Sequence, residues 1–391
     1  MRERCRLQTP PRPPARAPPP APAPAPAPQP PPPPPPPAAP GGRTPARRVT
    51  LRKVSDLVAH GLVADRDVQA LDALGGHYAT AIPPAFLDLI ESPDDPIGLQ
   101  VIPSPAESMI APYEDPDPIG DDALSPVPGI VHRYADRALL KPLLVCPLYC
   151  RFCFRREHVG PDGGVLGDAE LAQAMDWIRA HPAIREVILT GGDPLMLSPR
   201  RLRHIIDTLS AIPHVETIRI HSRVPVAAPE RMTPELLDAM ETDRAMWLVV
   251  HINHARELTA AARQAMRDVL ARAIPLLGQS VLLRGVNDTP DSLEALLRAM
   301  VSARIKPYYL HQLDPAPGTA HFRVPIAAGR ALLADLRGRV TGLAWPTYVL
   351  DIPGGHGKVP IGPNYLDESA TEMHVRDPGG QKRDLTGQPV P

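Results

Sequence analysis

From residue 138 onward the chain alternates short strand-like runs with longer stretches of helical periodicity, and this alternation restricts the fold more than any other feature. The short runs predict strands at 138–145, 185–190, 217–221, 247–253, 280–286 and 307–313. Helical stretches fall between them at 168–180, 199–211, 234–241, 258–273 and 291–303, and a further one spans 327–339. Strands that alternate with helices form parallel βαβ units with right-handed crossovers. Six in succession predict an α/β fold, an open, partial (β/α)6 TIM-like barrel whose chemistry sits on loops at the C-terminal ends of its strands.

The first of those loops reads Cys146-Pro-Leu-Tyr-Cys150-Arg-Phe-Cys153-Phe-Arg-Arg156, and Cys5 is the only other cysteine in the chain. A Cys-x3-Cys-x2-Cys spacing lets one loop present three thiolates to a single iron–sulfur cube, and no neighbouring thiolate is available to close the fourth iron. An open iron can bind a ligand directly, as open metal positions do elsewhere in catalysis. A structural zinc site would need a fourth ligand, which His158 could supply. Disulfides fit less well, because three cysteines cannot all pair and nothing marks the chain as secreted. The three-cysteine spacing followed by an aromatic residue resembles the signature of the radical S-adenosylmethionine enzymes.

A length of 391 residues allows a large core. With a net charge of -1 the chain has no global field favouring nucleic acid or an acidic membrane surface, so a small-molecule partner is expected. There is no apolar run long enough to span a bilayer and no apolar signal-peptide core, so the cytoplasm is the expected compartment. Its reducing conditions also suit free thiolates.

The pattern divides the chain into a Pro/Ala-rich tail (1–48), a helical N-terminal region with its connection (49–130), the barrel (131–325), a C-terminal segment (326–378) and a polar, Gly-rich end (379–391). Many of the 55 prolines lie in residues 9–40, where the chain favours extended polyproline II and lacks core-building side chains. Disorder is expected there, as a solvated tail, an arm for an SH3-like domain, or a stretch ahead of the true start. Helical periodicity at 54–63 and 67–74 is followed by a Pro- and Asp-rich connection at 92–129, expected to wrap irregularly over the surface. The end beyond Pro378 is expected to fray.

Two further motifs bear on chemistry. Thr190-Gly191-Gly192-Asp193-Pro194 closes the second strand, where two glycines allow close backbone approach and a carboxylate can bind an ammonium group. A plain βα turn with an Asp helix cap fits the same residues, and the place one strand after the cysteine loop favours the ligand reading. Gly354-Gly355-His356-Gly357-Lys358 is not a P-loop, because Ile352 and Val359 stand where Gly and Ser or Thr would be needed. Lys358 reads either as a Schiff-base lysine activated by burial or as a solvated loop lysine.

Taken together, several motifs resemble the lysine 2,3-aminomutase family across about residues 50–370. They are His-Arg-Tyr-x-Asp-Arg at 132–137, the cysteine loop, the turn at 190–194, Ser222-Arg-Val-Pro, His251-Ile-Asn253-His254, Gln279 to Asp288, Pro307-Tyr-Tyr309, and Pro-Gly-Gly-x-Gly-Lys-x-Pro at 353–360. The resemblance implies a [4Fe-4S] cluster on Cys146, Cys150 and Cys153, and S-adenosylmethionine contacts from Gly191, Gly192, Asp193, His251 and Gln279. His251 and Gln279 read equally well as polar core residues at strand ends. By the same resemblance Lys358 carries pyridoxal 5′-phosphate covalently, Arg133 and Arg137 hold its phosphate, and Arg155 clamps the substrate carboxylate.

Asp314 and Asp351 match two aspartates that receive the ε-ammonium of lysine in lysine-specific members, from which glutamate-using relatives depart. A buried carboxylate pair is costly unless a cation joins it. The implied reaction moves the amino group of L-lysine from C2 to C3, giving β-lysine, started by a 5′-deoxyadenosyl radical. A flavodoxin or ferredoxin reductant and a homo-oligomer are expected. The alternatives are a 2,3-aminomutase for another amino acid, or the branch making β-lysine for elongation factor P, which His311 and Ala320-His321-Phe322 resemble. A different class of reading is a non-catalytic zinc-binding interaction protein. The zinc site of clostridial-type members is not expected here, since Thr289 follows Asp288 and no cysteine lies beyond Cys153.

Overall fold

The chain enters its core through three short helices, α1 (Val54–Ala59), α2 (Val68–Gly75) and α3 (Pro84–Leu87). They belong to a computed structural model that describes residues 49–367 and 373–390, so the Pro/Ala tail lies outside the described residues. Leu57 of α1 and Phe86 of α3 pack with Ile97, Val101 and Leu148, which fastens this region to the cysteine loop.

A nine-stranded sheet follows, each strand bonded to the next in sequence. Its strands are β1 (Ile130–Tyr134), β2 (Arg137–Leu143), β3 (Glu186–Gly191), β4 (Thr217–Ser222), β5 (Ala245–His251), β6 (Leu276–Leu282), β7 (Lys306–Gln312), β8 (Thr347–Asp351) and β9 (Lys358–Pro360). Strands β2 to β8 run parallel, while β1 and β9 are antiparallel at the two edges. The six expected strands are all present. The sheet extends beyond them by a seventh parallel strand and two antiparallel edges, which are short or rich in polar residues.

The helices over this sheet are α4 (Asp168–Arg179), α5 (Pro199–Ser210), α6 (Val224–Ala227), α7 (Pro234–Asp238), α8 (Ala260–Leu270), α9 (Pro290–Ser302) and α10 (Ile326–Leu336). Five of them bury the same i, i+3, i+4, i+7 stripe: Leu171, Ala174, Met175 and Ile178 on α4, for example, and Leu293, Leu296, Leu297 and Met300 on α9. Full burial of one such leucine contributes about 1.5–3 kcal/mol. Ser198, Thr233, Thr259 and Thr289 cap α5, α7, α8 and α9 by accepting a backbone N–H, and proline follows the cap in α5, α7 and α9.

Four expectations change. The strand expected at 280–286 lies at Leu276–Leu282, where side chains alternate in burial, and Asn287 turns the chain beyond it by accepting the Leu283 N–H at 2.9 Å. Gly278 had masked this strand, and a Cβ there would lie 2.8 Å from Met300 Sδ on α9. The connection at 92–129 is not a surface wrap: Gln100, Glu107, Ile119 and Asp121 are all buried. Short 3-10 turns at Gly98–Gln100 and Pro105–Ser108 satisfy its backbone without regular elements.

The proposed segment boundaries also cut through structure. β1 begins at Ile130, β8 and β9 complete the barrel's own sheet, and the described residues from 49 onward belong to one compact unit. The C-terminal end is ordered rather than frayed. β10 (Leu366–Asp367), β11 (His374–Arg376) and β12 (Lys382–Asp384) form a small antiparallel sheet, and Arg383 bonds Asp377 at 2.7 Å.

What fixes the cysteine loop is a buried ion cluster. Glu107 accepts from Arg151 Nε at 3.0 and 3.1 Å, from Arg151 Nη2 at 2.6 Å, and from Arg156 Nη2. Burial alone would raise this carboxyl, but the two guanidinium groups outweigh it and hold it below the usual range. Glu107→Gln strands two buried cations and is expected to cost about 3–5 kcal/mol by urea denaturation. At the end of β3, Gly192→Ala would place a Cβ 2.4 Å from Val145 O. That substitution is expected to cost about 1–3 kcal/mol in the same assay.

Candidate active site

At the C-terminal ends of the parallel strands lies a cavity of about 610 Å³, lined by residues that include Cys146, Cys150, Cys153, Arg155, Asp193, His251, Asp314 and Lys358. A second hollow of about 650 Å³ lies between α4 and α5 and contains none of the motif residues. The inner cavity is therefore the chemical one. Its remaining lining includes Arg133, Arg137, Gly191, Gly192, Gln279 and Asp351, so the residues expected to meet the cluster, the cofactors and the substrate all reach it, whereas His158 does not.

The cysteine wall follows β2. All three thiols are free and partly buried. Burial pushes Cys146 well above its ordinary value and Cys153 up to about 11, and neighbouring thiols add to both. Thiolates persist in such a place only with a strongly positive partner, so the donors fit an iron–sulfur cluster. Among the described residues no three His, Cys, Asp or Glu side chains gather around a single-ion position.

Asp193 takes the capping role. Its carboxylate accepts from Leu195 N at 3.1 Å, Ser222 Oγ at 2.8 Å, Arg223 N at 2.7 Å and Val224 N at 3.1 Å. The side chain thus staples the end of β3 to the turn after β4, and little of it is left for an ammonium group. The two glycines serve packing as well. Gly191 has φ +113, and a Cβ on it would lie 2.5 Å from Leu143 O, so both glycines allow the end of β3 to lie against the start of the cysteine loop.

His251 and Gln279 are register neighbours across β5 and β6. The His251 ring stacks on Phe152 of the cysteine loop, with centroids 5.8 Å apart. Burial, then the nearby Arg223, lowers its pKa well below the ordinary value, so this imidazole is neutral, and its Nε2 is buried without a partner.

The opposite wall is a chain of charges. Asp121, from the buried connection, accepts from Arg155 Nε at 2.7 Å and lies 3.7 Å from Lys141 Nζ and 3.5 Å from Arg133 Nη2. Burial would raise Asp121, but Arg155, Lys141 and Arg133 hold it below the usual range. Arg133 also reaches Asp351 at 3.3 Å, and Asp351 accepts from Lys358 Nζ. Lys358 and Asp351 are cross-strand partners of β9 and β8, so the Gly354–Gly357 turn delivers the amine beside that carboxylate. Gly120, Gly354 and Gly355 all have positive φ, and a Cβ on Gly120 would lie 2.9 Å from the Gly354 backbone. The glycine loop and the connection can meet only without side chains there.

Arg137 stacks 3.9 Å over the Tyr134 ring, and Tyr134 Oη accepts the Lys358 N–H at 2.7 Å. Asp314 stands apart. Its Oδ1 is buried without a partner, and burial followed by the charge of Asp351 pushes its pKa up to about 7. A site with an amine, two arginines beside it and orphaned polar atoms at Asp314, His221 and His251 suits a phosphate-bearing carbonyl cofactor and an amino acid. Sequence reasoning had missed Asp121, Glu107 and Tyr134 as parts of this arrangement. For the first two the only signal was acidic residues within a proline-rich stretch.

Comparison with known proteins agrees with the geometry. The profile of the Radical SAM superfamily matches residues 140–300, and that of Lysine-2,3-aminomutase matches 333–377. The chain is 42% identical over 288 residues to L-lysine 2,3-aminomutase of Acetoanaerobium sticklandii, covering 73% of this chain and 70% of that one. It is 37% identical over 330 residues to L-lysine 2,3-aminomutase of Escherichia coli (81% and 96% covered) and 34% identical over 309 residues to glutamate 2,3-aminomutase of Clostridioides difficile (78% and 73%). Long relatedness at this level, carried by a barrel whose cysteine loop opens on a charged cavity, makes this chain an isomerase of the lysine 2,3-aminomutase family, radical S-adenosylmethionine enzymes that use a [4Fe-4S] cluster.

Proposed function

We propose that the chain is a pyridoxal phosphate-dependent L-lysine 2,3-aminomutase that produces β-lysine. The observation that carries this reading is Asp314, a buried carboxylate with an unpartnered oxygen, next to the charge of Asp351. A lysine ε-ammonium placed between them would supply the missing cation. A glutamate side chain would bring a third carboxylate into the same place, which argues for lysine over glutamate.

In this reading Cys146, Cys150 and Cys153 hold the cluster. The Gly191–Gly192 edge, His251 and Gln279 face S-adenosylmethionine, through backbone and ring atoms rather than the Asp193 carboxylate. Arg155, oriented by Asp121, meets the substrate carboxylate, and Arg133 and Arg137 meet the cofactor phosphate. Pyridoxal phosphate bound at Lys358 would supply the π system that migration of an amino group between adjacent carbons requires. Asp351 Oδ2, bonded to Lys358 Nζ, is placed to take the proton that the amine must lose to act as a nucleophile. Tyr134 fixes the Lys358 backbone by its hydroxyl. The reading also calls for a low-potential electron donor such as flavodoxin or ferredoxin.

Borohydride reduction of the holoenzyme, followed by peptide mapping, is expected to find the pyridoxyl label on Lys358; Lys358→Ala should lose the label and keep its iron. A label on another lysine would refute the assignment. The second test is pH. Asp314 is neutral below about 7 and ionised above it, and only the ionised form attracts an ammonium group. Lysine affinity is therefore expected to fall about tenfold from pH 8 to pH 6. Asp314→Asn should flatten that profile and leave S-adenosylmethionine binding unchanged. A profile that keeps its slope in the variant would remove Asp314 from the ammonium site.

A further inference from the structure

One motif has no part in the reading above: Ser222-Arg223-Val224-Pro225, at the end of β4. The Arg223 guanidinium is buried beneath the cysteine loop, and its Nη1 donates to Cys150 Sγ at 2.8 Å. Its other terminal nitrogen donates to Gln100 Oε1 at 2.6 Å and to Glu257 Oε2 at 3.2 Å. Phe86 and Phe152 flank the group, with their ring centroids 5.0 and 5.7 Å from its central carbon. The backbone is held too, since Arg223 N donates to Asp193 Oδ2.

Glu257 is fixed in turn. It has no exposed surface, and its Oε1 accepts the backbone N–H groups of Asn253 and His254 at 3.0 Å each. Gln100 donates to Glu257 Oε1 at 3.2 Å and accepts from Asn253 Nδ2 at 3.1 Å. A rigid arginine, shielded from water and balanced by one carboxylate, thus points at a single cysteine sulfur.

We propose that Arg223 sets the reduction potential of the iron–sulfur cluster through its hydrogen bond to Cys150. Reduction moves one electron from a low-potential donor to the cluster, with no bond broken and no proton transferred, and adds one negative charge to a buried site. A fixed cation and an N–H···S bond stabilise the reduced form more than the oxidised form and so raise the potential. Glu257 opposes this by offsetting the arginine charge. The inference rests on the cluster being held by Cys146, Cys150 and Cys153, and is independent of pyridoxal phosphate and of the substrate.

The test is anaerobic reconstitution of the full chain with iron and sulfide, as wild type, Arg223→Lys, Arg223→Gln and Glu257→Gln. Iron and sulfide are counted, and the paramagnetic signal of the reduced cluster is titrated against potential. The midpoint is expected to move to more negative potential in Arg223→Gln, less so in Arg223→Lys, and to more positive potential in Glu257→Gln. Loaded Arg223 variants with the wild-type midpoint would overturn the proposal. So would a Glu257→Gln shift in the same direction as Arg223→Gln. If both Arg223 variants are folded by circular dichroism yet take up no cluster, Arg223 is a strut for the loop and the proposal fails. A wild-type chain that binds no iron refutes the cluster assignment itself, before any variant is compared.

Discussion

Glu107 has essentially no exposed surface beneath the cysteine loop, and two arginines of that loop, Arg151 and Arg156, converge on its carboxylate. Withdrawing these charges from water costs several kcal/mol per ion and is offset only when each finds a well-placed partner. The consequence is mutual dependence: the connection supplies the carboxylate that the loop's arginines need, and the loop supplies the cations that a buried Glu107 needs. A third segment joins them, because Gly318, with φ +70, would place a Cβ 2.3 Å from Glu107 O. Fourteen residues further along, the same connection supplies Asp121 to Arg155. One strap without regular structure therefore aims both the metal-binding loop and the arginine facing the substrate.

Across the cavity, Arg155, Asp121, Arg133, Asp351 and Lys358 form a chain in which each charge is the next one's counter-ion. Such an arrangement is stable without a ligand and can exchange protein partners for a ligand's carboxylate, phosphate or ammonium group at a modest net cost. Asp314 is outside this chain, which is why its proton is held up to about 7 while Asp121 stays ionised. Strongly perturbed groups that converge on one cavity are a mark of function more than of stability.

Much of the architecture was legible in the sequence for a local reason. A helix packed on a sheet must repeat its apolar residues at i, i+3, i+4 and i+7, and five helices here do so without exception. The six central strands can be read from the apolar residues they bury under the helices, although alternate positions such as Arg219, His221, Gln279 and His311 turn to the cavity. β9 has one apolar residue in three, and β8 has a polar residue at each end, so neither offered a run to find. β6 was displaced by a glycine whose purpose, admitting Met300, is visible only from the facing helix. At the turn 190–194 no local pattern showed that the glycines also admit Leu143 and Val145 or that the aspartate braces Arg223, because those contacts come from other strands.

By itself the sequence determined what is encoded at short range: the three-cysteine spacing, the lysine on its glycine turn, and the periodicities that make a parallel barrel. Tertiary structure alone decided which charges are partners. Arg133 meets Asp351 across 218 positions and Arg223 meets Gln100 across 123. No periodicity links residues so far apart. A buried ion takes whichever opposite charge the packed core brings within a few ångströms, and that is settled only when the strands and the strap come together.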